Sequence, residues 1–578
     1  MQYYNNNSKN KIKDKIFNPL YGVVLKEGLF LKTFDNNRAF LKTLNQDSIL
    51  YHFRRKAERL APGEPYHGHF EDNLHGQTAG LFLMGAGNSL RWEEDKELRR
   101  RLDEIVDEIQ QTAESDGYLM AIPQNEFGTK EYPHYVRIWL TYGLTAAAQA
   151  GNPLAFELIR KWQIWFNHCD DLSIIKYLML SFQGVVASTF VYNTPIGEKE
   201  DIDTTIEYYE EDWRLGQYIM GERDAINHRN QPGVEPHPHG TEIEAMEGYL
   251  DLYRATGKHY YLRAVQNFYK FYKEDWQYPG SGIAMCEFEK AFAKCYWLSD
   301  DKHYNELCCS SFWLLLNQRF HRLFPEEESY INEMEATIYN IGIANQDSGD
   351  GIRYFAFLDK KKEKGGKVHC CCGVGTKMYG SLPEYIYSIN ESELYIDLFA
   401  SSEITWERSL GDVIVNMETD MPYNGKVALK ITGKGQFFTI KIRVPSWVSS
   451  PVDINLNGVV VTKGTVGSYI SIQREWHNDI ISFELPFSFR VSRYEGAEQV
   501  EGYSRWAVEY GPLLMAFKSN LDENKRIKIE NDINKINEWL IPTENSLIFN
   551  IKDHPDTTLE PYFAIPSEEP FTCYPLFK

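Results

Sequence analysis

The hydrophobic period of this chain changes once, near residue 392, and no single layered fold accommodates both halves. Upstream, apolar residues recur every three to four positions. In EEDKELRRRLDEIVDEIQQTAE, Leu98, Leu102, Ile105, Val106 and Ile109 mark one helical face behind an acidic opening. AFLKTLNQDSILYHFRRKAERL, HYVRIWLTYGLTAAAQA, PLAFELIRKWQIWFN, GTEIEAMEGYLDLYRATG, HYYLRAVQNFYKFYKE and SSFWLLLNQRFHRLF repeat the pattern. Weaker candidates lie around 72–86, 172–188, 204–221, 327–344 and 375–388, about a dozen helices in all. Short polar turns such as RATGKH make neighbours antiparallel, and helices paired this way close as a double ring of six inner and six outer. A looser helical array is the alternative. Downstream, LYIDLF, DVIVNME, KVALKITG, FFTIKIRVPSW, DINLNGVVV, YISIQ and DIISFELPFSFRV alternate or run β-branched between Gly, Asn and Pro turns, the pattern of an antiparallel sandwich.

At 578 residues the chain exceeds what one core supports, so several domains are expected. Residues 1–30, with YGVVLKEGLFLKTF, read as a strand segment joining the sandwich. Residues 31–390 read as the helical barrel and 391–520 as the sandwich. Residues 521–578 form a charged extension packed on one or the other.

Asp plus Glu outnumber Lys plus Arg by 82 to 61, which disfavours a nucleic-acid ligand. No apolar run approaches a membrane span, and the N-terminus lacks the apolar core of a signal peptide. The chain therefore reads as a soluble protein, intracellular as written or exported if a leader was removed. The sandwich is as compatible with a homodimer surface as with a cap over the barrel.

Nine cysteines, five of them at Cys308, Cys309, Cys370, Cys371 and Cys372, are too clustered for a disulfide framework. Soft thiolates suit zinc, and a carboxylate completes such a set. Glu306 and Cys308 would converge if they opened the helix before FWLLL, and Cys370 and Cys371 would enter from the loop before TKMYGSLPEYIYS. Helix N-termini favour thiolate at both places. Buried free cysteines are the competing explanation. Glycoside hydrolysis needs an acid as well, and GIAMCEFEKAF carries Glu287 and Glu289. Histidines in HGH (67–69), PHY (133–135) and HPHG (237–240) are further polar candidates.

This pattern resembles the β-L-arabinofuranosidase family of zinc-dependent, cysteine-nucleophile retaining glycoside hydrolases, over roughly residues 28–520. The family's Glu-x-Cys looks like Glu306-Leu307-Cys308. Its Cys-Cys pair, followed sixteen residues later by the second Tyr of Tyr-Ile-Tyr, looks like Cys370-Cys371 with YIY at 385–387. PHYVRIWLTYGL, EIEAMEGYLDLYRATGKHYYL, INEMEATIYN, IRVPSWV, REWHNDIISFELP and YGPLLMA add to the likeness.

The resemblance implies an (α/α)6 barrel followed by β-sandwich modules. It implies a zinc ion on Glu306, Cys308, Cys370 and Cys371, with Cys370 as nucleophile and with His134, Tyr354 and His239 lining the sugar site. The family's acid/base position falls on Lys290 here, so Glu287, three residues earlier, takes that role, with Glu289 as the alternative. A stretch that carries another active-site His in the family is also missing. The implied activity is exo-release of a β-linked furanose, foremost β-L-arabinofuranose, from plant cell-wall glycans such as pectin. An acidic pectin sugar such as aceric acid would call for an unmatched arginine, Arg353 or Arg137. Lys290 raises a third reading, a catalytically silent carbohydrate-binding protein with structural zinc. A polysaccharide lyase would have no use for the thiols.

Overall fold

The computed structural model describes residues 9–578 except 68–71, 129–131, 170–183, 211–212, 224–239, 281, 287–293, 295, 299–302, 348–350, 367, 520–526 and 546. Among the described residues, six helices surround the barrel axis. They are α1 (Gln77–Leu90), α2 (Tyr132–Gln149), α3 (Val185–Tyr192), α4 (Gly240–Thr256), α5 (Leu307–Leu323) and α6 (Cys370–Gly380). Each touches the next, and α6 touches both α5 and α1, which closes the ring. Their sequences explain the placement. QTAGLFLMGAGNSL of α1 carries no charge and is buried along its whole length, as an inner helix must be.

Outer helices alternate with them in the chain: Leu29–Thr43, Lys96–Thr112, Ala155–Asn167, Lys199–Tyr209, His259–Asp275 and Glu328–Thr337. Lys96–Thr112 buries the stripe read from its sequence, and the Asp95 carboxylate caps it by accepting from the Glu97 and Leu98 amides.

The inner helices run parallel. A Cβ on Gly80 would lie 2.5 Å from the Trp139 carbonyl and one on Gly373 2.0 Å from the Leu81 side chain, so α1 meets α2 at backbone range and packs Leu81 onto α6. Contacts between Gly87 and Ala146, and between Gly380 and Ser89, keep the same order further along. On the opposite wall, Gly240 of α4 abuts Cys309 at the start of α5, whereas Asp251 of α4 meets Arg319 near its end. All six N-termini therefore face one end of the barrel and all six C-termini the other.

Beyond residue 386 the chain forms two mostly antiparallel sheets, so the expected class, a helical barrel followed by β modules, is the observed one. The first runs Val23–Leu25, Ser402–Trp406, Val413–Thr419, Lys426–Val444, Ser468–Glu484, Val452–Leu456, Val459–Gly464, and Tyr387–Ile389 and Glu393–Ile396 join it to the side. Alternating burial in Val413–Thr419, paired Val415 to Ile404 and Ile431, gives one core face. The second sheet starts at Phe489–Tyr494 and includes Ser504–Tyr510, Leu513–Ser519 and the C-terminal strands from Lys528 to Phe577. The division thus falls near residue 488 rather than 520. Residues 528–577, expected as an extension, supply strands because Phe517, Leu559 and Phe577 bury a shared face.

Buried Arg443 ties the first sheet to the barrel through Glu328 at 2.7 Å and Glu335 at 3.0 Å. The segment from Lys9 to Leu20 crosses the C-terminal end of the barrel, pairing Asp14 with Arg254 and Asn18 with Gln318 and Arg322, before Val23–Leu25 enters the sheet. Among the described residues no helix is long and apolar enough to cross a membrane.

Candidate active site

Two helix starts bring the thiols together. Glu306 is the N-cap of α5, in extended backbone, so Cys308 follows in the first turn and both side chains reach the same point. Cys370 is the first residue of α6, not part of a preceding loop. The cause is His369, the N-cap, whose Nδ1 accepts the Cys372 amide at 3.2 Å and starts the helix early. Its Nε2 donates to the Ile352 carbonyl at 3.1 Å, which fixes that tautomer.

Glu306, Cys308, Cys370 and Cys371 are all buried, and their ligand atoms lie within 4.8 Å of one another. Cys371 Sγ is 3.1 Å from Cys308 Sγ and 3.3 Å from Glu306 Oε1, and Cys370 Sγ is 3.9 Å from the same oxygen. The cysteines are free thiols, too far apart for a disulfide bond. Burial first, then the neighbouring sulfurs, pushes the Cys308 and Cys371 thiols well above their ordinary range. A bound cation reverses that balance, and three soft sulfurs with one carboxylate suit a metal ion.

Tyr354 belongs to the same site. Its hydroxyl lies 3.6 Å from Cys370 Sγ, and its carbonyl accepts the Leu307 amide at 3.1 Å. That pairing, with Ala356 donating to the Asn305 carbonyl at 2.9 Å, aligns the Tyr354 strand beside Glu306. Burial, then the thiols and Glu306, raises the Tyr354 phenol, which stays a neutral donor.

Tyr135 was not singled out in the sequence. It is buried against the cluster, and its phenol is raised by burial and then by Cys370 and Cys308. Its signal was position, since it lies one residue after His134 at the N-terminal turn of α2. Cys309, part of the cysteine cluster but outside the expected ligand set, has its Sγ 3.5 Å from Glu306 Oε2.

His134 is buried beside Phe127, ring centroids 4.4 Å apart, and burial lowers its pKa to about 3, so it is neutral at physiological pH. Glu287, Glu289, Lys290 and His239 lie outside the described residues, as does most of HPHG.

Of the two arginines considered for an acidic sugar, Arg353 is committed to the protein, whereas Arg137 has no carboxylate partner among the described residues. Arg353 donates to the carbonyls of Glu363 and Ala344 and to Ser567 Oγ, and pairs with Asp347 at 3.2 Å. It staples the loop that carries Tyr354. Arg137 stacks on Phe166 at 3.4 Å and donates to Ser188 Oγ at 2.5 Å.

A profile described as the β-L-arabinofuranosidase GH127 catalytic domain matches residues 22–384, and the GH127 middle domain matches 393–487. The chain belongs to the GH127 β-L-arabinofuranosidase family. It is accordingly a glycoside hydrolase acting on a carbohydrate. The middle-domain match ends where the first sheet ends. Among solved structures, this GH127 chain is similar to a GH127 β-arabinofuranosidase at 20% identity and TM-score 0.76, covering 98% of both chains. It is also similar to a GH127 β-L-arabinofuranosidase from Geobacillus stearothermophilus T6 at 17% identity and TM-score 0.74, covering 96% of this chain and 100% of that one. Both likenesses concern the fold. No curated protein matches the sequence.

Proposed function

We propose that this GH127 glycoside hydrolase is a retaining exo-acting enzyme releasing β-L-arabinofuranose from plant cell-wall glycans, with Cys370 as nucleophile. The observation that carries the reading is the convergence of Glu306, Cys308, Cys370 and Cys371. Those four residues would hold zinc, which when bound keeps the sulfurs as thiolates at neutral pH.

Cys370 Sγ attacks the anomeric carbon, forming the C–S bond as the C–O bond to the aglycone breaks. Glu287 gives its proton to the leaving oxygen. It then takes a proton from water, whose oxygen attacks the same carbon and expels the Cys370 thiolate. Two inversions retain configuration. Tyr354, 3.6 Å from Cys370 Sγ, steadies the sulfur and meets the sugar. His134 and His239 complete the sugar contacts. Placing Glu287 here is supported by the pairing of Met285–Cys286 with His303–Tyr304, the strand that leads into Glu306. Glu289 is the alternative.

An aceric-acid-like substrate is the less favoured reading, because Arg353 is occupied by protein partners and Arg137 is stacked on Phe166 and turned to Ser188.

The test is hydrolysis of 4-nitrophenyl β-L-arabinofuranoside followed by NMR of the product anomer. Release with retention, abolished in Cys370→Ser, supports the reading. Inversion, or full activity in Cys370→Ser, overturns it.

A further inference from the structure

The C-terminal end of the barrel holds a partly open cavity of about 130 Å³, whose lining includes Phe17, Asn18 and Leu20. That is room for an oxyanion with a few waters. Most cations around it are matched. Arg254 pairs with Asp14 at 2.5 Å and Asp251 at 2.8 Å, and Arg319 pairs with Glu247 and, at 3.4 Å, with Asp251. Arg91 and Arg322 share Glu384 at 2.6 and 3.5 Å.

Lys377 is the exception. It lines the cavity, its Nζ lies 4.8 Å over the Tyr142 ring, and among the described residues it has no carboxylate or hydrogen-bond partner. Five cations and two carboxylates, Asp251 and Glu384, line the cavity, while Asp14 and Glu247 pair with Arg254 and Arg319 behind that lining and Glu244 lies nearby. An ammonium partly withdrawn from water with no carboxylate in contact carries a cost that a counter-anion lowers.

We propose that this cavity binds a small oxyanion of the phosphate, sulfate or carboxylate class, held by Lys377 with Arg322 and Arg319 beside it. Burial draws the Lys377 pKa down to about 8, against the opposing pull of Glu247. The site is remote from the thiols yet shares α6 with them, since Lys377 lies about two turns beyond Cys370. An anion there would tie α6 to α5 at the end where Arg322 and Arg319 emerge. The α6 C-terminus also favours a cation. If that alone explains Lys377, the cavity holds water and the proposal fails.

The experiment uses the full chain in buffer free of oxyanions, titrated with inorganic phosphate and separately with acetate, with chloride matching ionic strength. Calorimetry and thermal unfolding report binding. Expected are saturable binding and a rising melting temperature in the wild type, weakened about tenfold or more in Lys377→Met and kept in Lys377→Arg. Without oxyanion, Lys377→Met should melt no lower than the wild type. Arg322→Gln, which leaves Glu384 paired with Arg91, is the second variant should Lys377→Met not fold. The phosphate and acetate curves tell the two sources apart. Absence of saturable binding to either, or equal binding by wild type and Lys377→Met, overturns the proposal.

Discussion

The two ends of the barrel are made from the same six helices and have opposite chemistry. At the N-terminal end α5 and α6 begin, and there a carboxylate and three thiols are packed together. At the C-terminal end the same helices finish, and Arg91, Arg254, Arg319, Arg322 and Lys377 gather against Asp14, Asp251, Glu247 and Glu384. Parallel helices force this split, because partial positive charge collects at one end and partial negative charge at the other. The first end is suited to anionic nucleophiles and bound cations, and the second is held by buried ion pairs. Removing a group at the first end should therefore cost activity, and at the second, stability.

The largest expected effect is Cys370→Ser, which should lower kcat/KM by about 10⁴-fold or more while the melting temperature stays close to the wild type. A variant that melts far lower would blur the contrast between the ends. Glu287→Gln should lower turnover by about 10²–10⁴-fold, least for a nitrophenyl leaving group that needs little protonation. If Glu289→Gln shows that leaving-group dependence instead, the acid/base role passes to Glu289.

At the other end, Arg254→Met removes the cation shared by Asp14 and Asp251 and should cost about 3–5 kcal/mol in urea unfolding. Metal content and activity per folded chain should not change. Loss of metal from this variant would show that the ends are not independent.

The smallest effect is in pH. Burial raises the Glu247 carboxyl from 4.5 to about 7 despite Arg319 beside it. The folded state therefore keeps that proton longer than the unfolded one, and stability falls as pH rises from about 4.5 to about 7. Glu247→Gln should flatten this fall, by about 1–3 kcal/mol over the window, measured by unfolding at several pH values.

Much of this contrast could be read from the sequence, but unevenly. The helical face of Lys96–Thr112 and the change of period near residue 392 depend on local spacing, which folding preserves. The thiol cluster was legible because cysteines are rare and their neighbours suggested helix starts. That Cys370 lies within α6 was not, since it depends on the His369 side chain capping its own helix. Arg353 resembled a ligand reader because sequence shows a charge and not the carbonyls around it. The C-terminal strands were missed because short, charged strands acquire their pattern from partners distant in the chain. The cation cavity was invisible for a similar reason: its lining comes from seven segments that only the closed ring brings together.

The central claim, that the N-terminal end of the barrel is a metal-thiolate site that performs the hydrolysis, is tested most directly by metal content. The protein would be purified under reducing conditions without chelator, and metal and sugar release measured on the same sample for wild type and Cys308→Ser. The account predicts about one zinc ion per chain in the wild type, and its loss together with activity in the variant. A metal-free wild type that releases the sugar at full rate would contradict it.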